Sequence, residues 1–227
     1  MRTNVLYFFL NPKVVEDNRV FTWKHLKMIF LVYVLFFIAQ GIFFGIIKLL
    51  DGALFDKTMH LFKSTFSGEN YVHPMYLVII APILEEIQFR LPMDLKKNSI
   101  CMGLAIFLGN LLMSSFHIPL FYAEFQVLPL LEFLFVYGVL FVVFAWGYQI
   151  FLDKWRLDIP NYVVFYFLSI LFALMHLVNY LPLESNLNFE YIIIVFSHFI
   201  SACLFGYLRC QYGFWSGIIM HGLVNYF

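Results

Sequence analysis

Charged side chains are scarce in this chain of 227 residues. Asp, Glu, Lys and Arg make up only 12% of it, and 14 basic residues balance 14 acidic ones. A chain with no net charge has no electrostatic attraction for a polyanion, so nucleic acid is not an expected partner. Hydrophobic residues make up 63%, more than the interior of a soluble domain of this length can hold. We therefore expect a polytopic membrane protein, with the lipid bilayer as its first partner.

Cysteine and the common enzyme motifs are also sparse. Cys101, Cys203 and Cys210 have neither the spacing of a disulfide framework nor that of a zinc site, so we expect them to be packing residues. The Gly-x-Ser-x-Gly, His-Glu-x-x-His and glycine-rich nucleotide-binding patterns are absent. An ATP-driven transporter or a kinase is therefore not expected.

Seven apolar stretches of helical length alternate with short polar connectors. Each has close to the ~20 residues that a helix needs to cross a bilayer, and none shows the alternation of a barrel strand. The predicted fold class is an all-α transmembrane helical bundle of about seven spans. We predict these spans at residues 28–50, 74–92, 99–122, 128–152, 160–182, 191–209 and 212–227. Because the first span begins so late, we expect it to be an uncleaved anchor.

Basic residues collect at alternate ends of these spans. The 119–127 and 183–190 loops have no Lys or Arg, whereas five basic residues precede the first span. Those five are Arg2, Lys13, Arg19, Lys24 and Lys27. This bias predicts a multi-pass protein of the cytoplasmic membrane with its N-terminus inside. The longest connector, 51–73, is a candidate interfacial segment.

Ionisable groups interrupt the apolar stretches in three places. A charged residue in the middle of a membrane helix costs ~2.5–3.5 kcal/mol on insertion scales, so we expect these groups to meet around a wet cavity. The three segments are Glu85-Glu86-Ile87-Gln88-Phe89-Arg90, Phe172-Ala173-Leu174-Met175-His176 and His221-Gly222-Leu223-Val224-Asn225.

The two adjacent glutamates are predicted to have different roles. Neighbours on a helix point ~100° apart, so Glu85 and Glu86 cannot both face one cavity. Glu86 and Arg90 are four residues apart with the acid first, which favours an ion pair. Glu85 has no such local partner and is suited to take a proton from water. In the alternative, both glutamates lie at a helix end near head groups and Arg90 reaches the cytoplasmic surface.

Polar residues in the other two segments also recur at helical spacing. His176 shares a helix face with Phe172, and His221 shares one with Asn225. Two donors aimed from one face at one point can stabilise an oxyanion. The alternative is that these side chains only form hydrogen bonds between helices.

Two other histidines also lie in or near the predicted spans. His117 lies near a predicted interface, in a pattern that imitates Phe-x-x-x-His with Met113 in place of Phe, and His198 lies in the middle of a helix. We expect structural roles for both.

Together the three segments resemble the CAAX protease and bacteriocin-processing family of intramembrane endopeptidases, also called the Abi family, which is related to the type II CAAX prenyl endopeptidase. The family pattern is Glu-Glu-x-x-x-Arg, Phe-x-x-x-His and His-x-x-x-Asn, each on a membrane helix. The same order occurs here as Glu85-Glu86…Arg90, Phe172…His176 and His221…Asn225. Similar flanks are Ala81-Pro82-Ile83, Phe205-Gly206-Tyr207-Leu208-Arg209 and Tyr212-Gly213-Phe214-Trp215.

The resemblance covers roughly residues 74–227 and implies a domain organisation. Residues 1–73 would be an N-terminal tail, the first transmembrane helix and an external loop. Residues 74–227 would be the protease domain, with a two-helix insertion at about 99–152. His117 lies at the more usual distance from the glutamates and is the rival of His176, which we prefer because Phe172 is in place. In the predicted topology, His176 lies toward the outer end of its span and Glu85 nearer the inner half.

The resemblance also implies an activity, the hydrolysis of a peptide bond in a peptide or lipidated-protein substrate. Glu85 would activate water with the help of His176, His221 and Asn225 would form the oxyanion hole, and Glu86 and Arg90 would support them. No cofactor is favoured, and a divalent metal such as zinc on Glu85, His176 and His221 stays open. The substrate's identity and the oligomeric state do not follow from the resemblance.

Two other functions fit the same residues. One is a non-catalytic immunity or partner-binding membrane protein that has the family's fold. The other is a proton-coupled carrier in which Glu85 relays protons.

Overall fold

Helices form every regular element that the computed structural model describes. It describes residues 5–13, 21–66, 75–115, 127–149, 159–177, 180 and 189–226, and no strand occurs among them. The helices are α1 (Val5–Leu10), α2 (Trp23–Leu50), α3 (Gly52–Phe66), α4 (Ala81–Phe89), α5 (Lys97–Ser115), α6 (Val127–Gly147), α7 (Asn161–Leu177), α8 (Phe189–Tyr212) and α9 (Phe214–Tyr226). The prediction of an all-α protein is confirmed.

Helices occur where all seven spans are predicted, but their lengths differ. Among the described helices, α2 and α8 are long and apolar enough to cross a bilayer. The seven-span count is not confirmed and stays a prediction. The connector predicted at 51–73 contains α3, whose Thr58 and Leu61 are buried against the rest of the protein.

The span predicted at 74–92 is the most irregular one. It begins with a π-helical turn at Tyr76–Ile80, continues as α4 for nine residues, and ends in a 3₁₀ turn at Leu91–Asp94. Pro92 explains the end, because proline has no N–H to donate and its ring clashes with the preceding turn of an α-helix. The glutamates therefore lie in a short helix rather than in the middle of a long one.

Helix α8 is the central element of the described structure. It packs against α2, α3, α7 and α9, and 61% of its most apolar stretch is buried, compared with 22% for α2. The residue between α8 and α9 is Gly213, whose φ of 92° only glycine adopts readily. This turn lets α9 fold back against α8, which brings His221 into the interior.

The main hydrophobic core joins the two ends of the chain. Phe8 of α1 lies edge-on to Phe165 of α7 and to Tyr207 of α8, and Val32 of α2 belongs to the same cluster. The aromatic residues that the composition provides in excess thus pack α1, α2, α7 and α8 into one unit around the site.

Gln40 links α2 to the central helix by two reciprocal hydrogen bonds. Its Nε2 donates to the backbone oxygen of Ser197 over 3.0 Å, and Ser197 Oγ donates to Gln40 Oε1 over 3.0 Å. Both side chains are buried, so neither group can turn to water if its partner is removed.

We expect Gln40→Leu to lower the stability of the protein by about 1–2 kcal/mol, because it keeps the side-chain volume but removes both hydrogen bonds. The measurement is the melting temperature of the purified protein in detergent. The control is Ile42→Val on the outward side of α2, where the side chain is 59% exposed. Equal melting temperatures for the two variants would contradict this role of Gln40.

Candidate active site

Three helices bring three of the predicted site residues to one point. Glu85 lies in the middle of α4, His176 lies one residue before the end of α7, and His221 lies in α9. Glu85 Oε2 is 3.6 Å from His176 Nε2 and 3.5 Å from His221 Nε2. One carboxylate oxygen therefore faces two imidazole rings from different helices.

Backbone contacts determine which nitrogen of His176 faces the glutamate. His176 Nδ1 lies 2.9 Å from the backbone oxygen of Phe172, and a carbonyl can only accept, so Nδ1 is the donor. In a neutral ring, Nε2 then carries the lone pair and faces Glu85. Two acceptors that face each other cannot hydrogen-bond directly, and a water molecule that donates one hydrogen to each can link them if the side chains separate to the ~4.5 Å that two such bonds span.

Glu86 lies on the other side of α4, in a fully buried setting. Its Oε1 is 3.9 Å from Arg90 Nε and 3.5 Å from His221 Nδ1, and both Glu86 and Arg90 side chains are 0% exposed. The structure thus pairs the two residues that the helical spacing pairs. It also adds His221, which lies between the two carboxylates.

Arg90 is in turn anchored to two other helices. Its Nη2 donates to the backbone oxygen of Ala202 in α8 over 3.4 Å, and its guanidinium lies 4.2 Å from the ring centroid of Phe172 in α7. A cation over an aromatic face in a desolvated setting contributes about 2 kcal/mol. These contacts hold the α4 glutamates at a defined position relative to α7 and α8.

Exposure gives the site a direction. The side chain of His221 is 2% exposed, whereas those of His176 and Glu85 are 18% and 25% exposed. The cluster is therefore closed beneath Glu86 and His221 and open beside Glu85 and His176. A substrate would approach from the side of the latter two residues.

Several polar atoms of this cluster are buried without a hydrogen bond to any described group. They are Glu85 Oε2, both carboxylate oxygens of Glu86, Arg90 Nε and Nη1, and His221 Nδ1. An unsatisfied buried polar group costs about 1–3 kcal/mol, and such groups are few in native proteins. Their concentration in one place makes this cluster the candidate functional site.

Asn225, a predicted member of the oxyanion hole, is not among the contacts of Glu85. Its Nδ2 donates to the backbone oxygen of Leu77 in the π-helical turn over 3.0 Å, and its side chain is exposed. It lies one turn of α9 beyond His221. The rival histidine, His117, lies outside the described residues.

Two residues of the site were not predicted as such. Phe205 stacks on His221, with ring centroids 4.6 Å apart and planes at 25°. His198, for which a structural role is expected, lies with its ring centroid 4.4 Å from that of His176. The sequence signal for Phe205 was its pair with Gly206, shortly before the last motif. The contact of His198 with His176 depends on how α7 packs on α8, which a single sequence does not show.

The zinc alternative finds no support in this geometry. Among the residues that the structure describes, no group of three or more His, Cys, Asp and Glu side chains could hold a metal ion. Metal dependence of the chain stays an untested prediction.

Comparison with known proteins agrees with the motifs. A family model described as Rce1-like, type II CAAX prenyl endopeptidase Rce1-like, matches residues 148–227. The resemblance to the CAAX proteases is confirmed over this part, which contains His176, His221 and Asn225 but not the glutamates. No curated protein and no solved structure matches the chain. The family match and the two long apolar helices together indicate a membrane protein.

Gly217 is the residue that lets α9 approach the buried glutamate. A Cβ at this position would lie 2.7 Å from Glu86 Oε2, a distance that real Cβ atoms do not show. Because Glu86 is held by Arg90 and His221, it cannot move aside without losing those contacts.

We expect Gly217→Ala to lower the stability by about 1–3 kcal/mol, as overpacking of a closed core does. The measurement is again the melting temperature in detergent. The matched control is Gly45→Ala in α2, where nothing lies within 4 Å of the added methyl group and helix propensity favours alanine. If Gly217→Ala melts as the control does, α9 does not depend on the close contact with Glu86.

Proposed function

We propose that this chain, whose last third resembles the CAAX-type proteases, is an intramembrane endopeptidase that hydrolyses a peptide bond with activated water. The observation that supports it best is the approach of Glu85 Oε2 to His176 and His221 within 3.6 Å, in a cluster closed on one side and open on the other. Packing between helices requires no such convergence of ionisable groups from α4, α7 and α9.

The nucleophile in this proposal is a water molecule between Glu85 and His176. The carboxylate and the Nε2 lone pair each accept one of its hydrogens, so a lone pair of the water oxygen points at the substrate carbonyl. Glu85 takes the proton as the new C–O bond forms. It then gives this proton to the leaving nitrogen as the C–N bond breaks, so the first products are a carboxylic acid and an amine, and transfer of the acid's proton to the amine leaves a carboxylate and an ammonium.

His221 is proposed as a donor to the developing oxyanion. Each of its ring nitrogens faces a carboxylate at 3.5 Å, so we infer that the ring is protonated on both. Its charge and that of Arg90 then balance Glu85 and Glu86, which is the favoured arrangement for charges buried in an apolar setting. As Glu85 takes the water proton, the Nε2–H of His221 becomes available to the oxyanion.

Asn225 is proposed as the second donor. An amide nitrogen carries two hydrogens, and one of them is donated to the backbone oxygen of Leu77. That hydrogen bond holds the amide in place and leaves the other hydrogen for the substrate. The contact with Leu77 would then position the donor.

The substrate class that we propose is a peptide or protein held in the membrane, with lipidated C-terminal segments as the first candidates. The family match supports a CAAX-type cleavage, because the matching model is described as type II CAAX prenyl endopeptidase Rce1-like. Partly exposed Glu85 and His176 give an extended backbone access to the water, while the closed side keeps bulk solvent away from Glu86.

We expect Glu85→Gln and His221→Ala each to lower kcat/KM by about 10²–10⁴-fold, because each removes a group that exchanges or donates a proton in the transition state. The assay is cleavage of a farnesylated C-terminal peptide by protein reconstituted in vesicles. Protein termini in membranes of cells that express wild type or Glu85→Gln are compared by mass spectrometry to find other substrates. Glu85→Gln should retain the wild-type melting temperature to within a few degrees and is the diagnostic variant, because His221→Ala also removes a contact of the buried Glu86 and should melt earlier.

The control for this assay is Glu190→Gln in α8. Glu190 is also a buried acidic residue, but it pairs with Lys57 over 3.8 Å and is not part of the cluster. The Glu190→Gln variant should cleave the peptide at the wild-type rate. Wild-type cleavage by Glu85→Gln would overturn the proposed function, and unfolding of Glu85→Gln would support a purely structural role for the carboxylate.

For the second donor, we expect Asn225→Ala to lower kcat by about 10²–10³-fold with little change in KM, as the loss of one oxyanion donor does. The variant is measured by steady-state kinetics beside Leu223→Ala, which removes a neighbouring exposed side chain of α9. A raised KM with unchanged kcat would show that Asn225 only holds α9 against the π-helical turn.

A further inference from the structure

His198 lies beside the candidate active site although no motif includes it. Its ring centroid is 4.4 Å from that of His176, with the planes at 36°. His176 also contacts the ring of Phe172, at 4.3 Å and 42°. The imidazole that faces Glu85 is therefore in contact with two rings, one from its own helix and one from α8.

The ring of His198 is itself held from several directions. Its Nδ1 lies 2.9 Å from the backbone oxygen of Ile194 and must donate to it, as His176 donates to Phe172. Phe62 of α3 lies almost parallel to it, with centroids 6.1 Å apart and planes at 15°. Tyr180, just beyond α7, lies edge-on at 6.2 Å. A ring restrained in this way is a rigid packing surface for the imidazole of His176.

The orientation of the His176 ring depends on such a packing surface. Its Nε2 must stay within reach of a water molecule shared with Glu85, and the hydrogen bond of Nδ1 to Phe172 leaves the ring free to swing about that bond. The contact with the Phe172 ring and the contact with the His198 ring each limit this rotation of the His176 imidazole.

We propose that His198 is a positioning residue, which holds the His176 imidazole with its Nε2 toward Glu85. This inference rests on the proposed function, since it concerns the residue that orients the water. His198 does not touch the reacting atoms in the proposed mechanism. Its contribution is the ring contact, and the hydrogen bond to Ile194 fixes the orientation of that ring.

Three substitutions separate the ring from its polar atoms. His198→Ala removes both, His198→Asn keeps a short polar side chain but removes the ring, and His198→Phe keeps a ring of similar size. We expect Ala and Asn to lower kcat by about 10–100-fold with KM unchanged, since small misplacements of a catalytic group have effects of this size. We expect Phe to remain within a few-fold of wild type. The control is His60→Ala on the exposed side of α3.

A second readout does not depend on cleavage. With carbon-13 at Cε1 of histidine, the His176 signal is identified by its loss in His176→Asn and compared across the variants in nanodiscs. We expect one sharp signal in wild type and in His198→Phe, and a broadened or divided signal in His198→Ala. If wild type cleaves nothing but the signal behaves in this way, the proposed function fails and the positioning role stands.

Two outcomes would overturn the inference. If His198→Phe is as inactive as His198→Ala, the polar atoms of His198 act and the ring contact does not. If the His176 signal is equally sharp in wild type and His198→Ala, the ring of His176 is held without His198. A melting temperature within a few degrees of wild type for His198→Phe shows that either result comes from a folded protein.

Discussion

The burial of Glu86 beside Arg90 and His221 is the interaction on which the rest of the site depends. A lone carboxylate in an apolar bundle costs several kcal/mol, so its counter-charges cannot be removed without loss of the fold. Arg90 can stay near Glu86 only because Phe172 and the backbone of Ala202 hold its guanidinium. The same contacts fix α4 against α7 and α8. Charge neutralisation and helix packing are therefore one requirement here.

This requirement gives the two glutamates unequal positions. Glu86 is fully buried beside Arg90 and His221, whereas Glu85 projects about a quarter turn away and is 25% exposed. His221 connects them, because its two nitrogens face one carboxylate each. Glu86 thereby contacts the same ring that faces Glu85, the general base of the proposed mechanism. A substitution at Glu86 should consequently affect both stability and chemistry, while one at Glu85 affects chemistry alone.

Local geometry explains which parts of this could be predicted from the sequence. Hydrophobic runs of helical length predicted the all-α fold, and the four-residue spacing of Glu86 and Arg90 predicted the pairing that the structure shows. The contact of His198 with His176 depends on how α7 lies against α8, and the contact of Asn225 with Leu77 depends on a π-helical turn with no sequence signature. The predicted topology placed Glu85 and His176 toward different ends of their spans, but their side chains lie 3.6 Å apart. This contact depends on how α4 and α7 pack together, which a single sequence does not show.

The central claim is that Glu85 and His176 deliver a water molecule directly to the substrate carbonyl. The most direct test is a single turnover in water enriched in oxygen-18, with the protein in excess over a cleavable peptide, followed by mass spectrometry of the new C-terminus. Direct attack by water predicts one oxygen-18 in the carboxylate formed in the first turnover. An unlabelled carboxylate in the first turnover would contradict the account, because the oxygen would then come from a carboxylate of the protein that attacks the substrate itself.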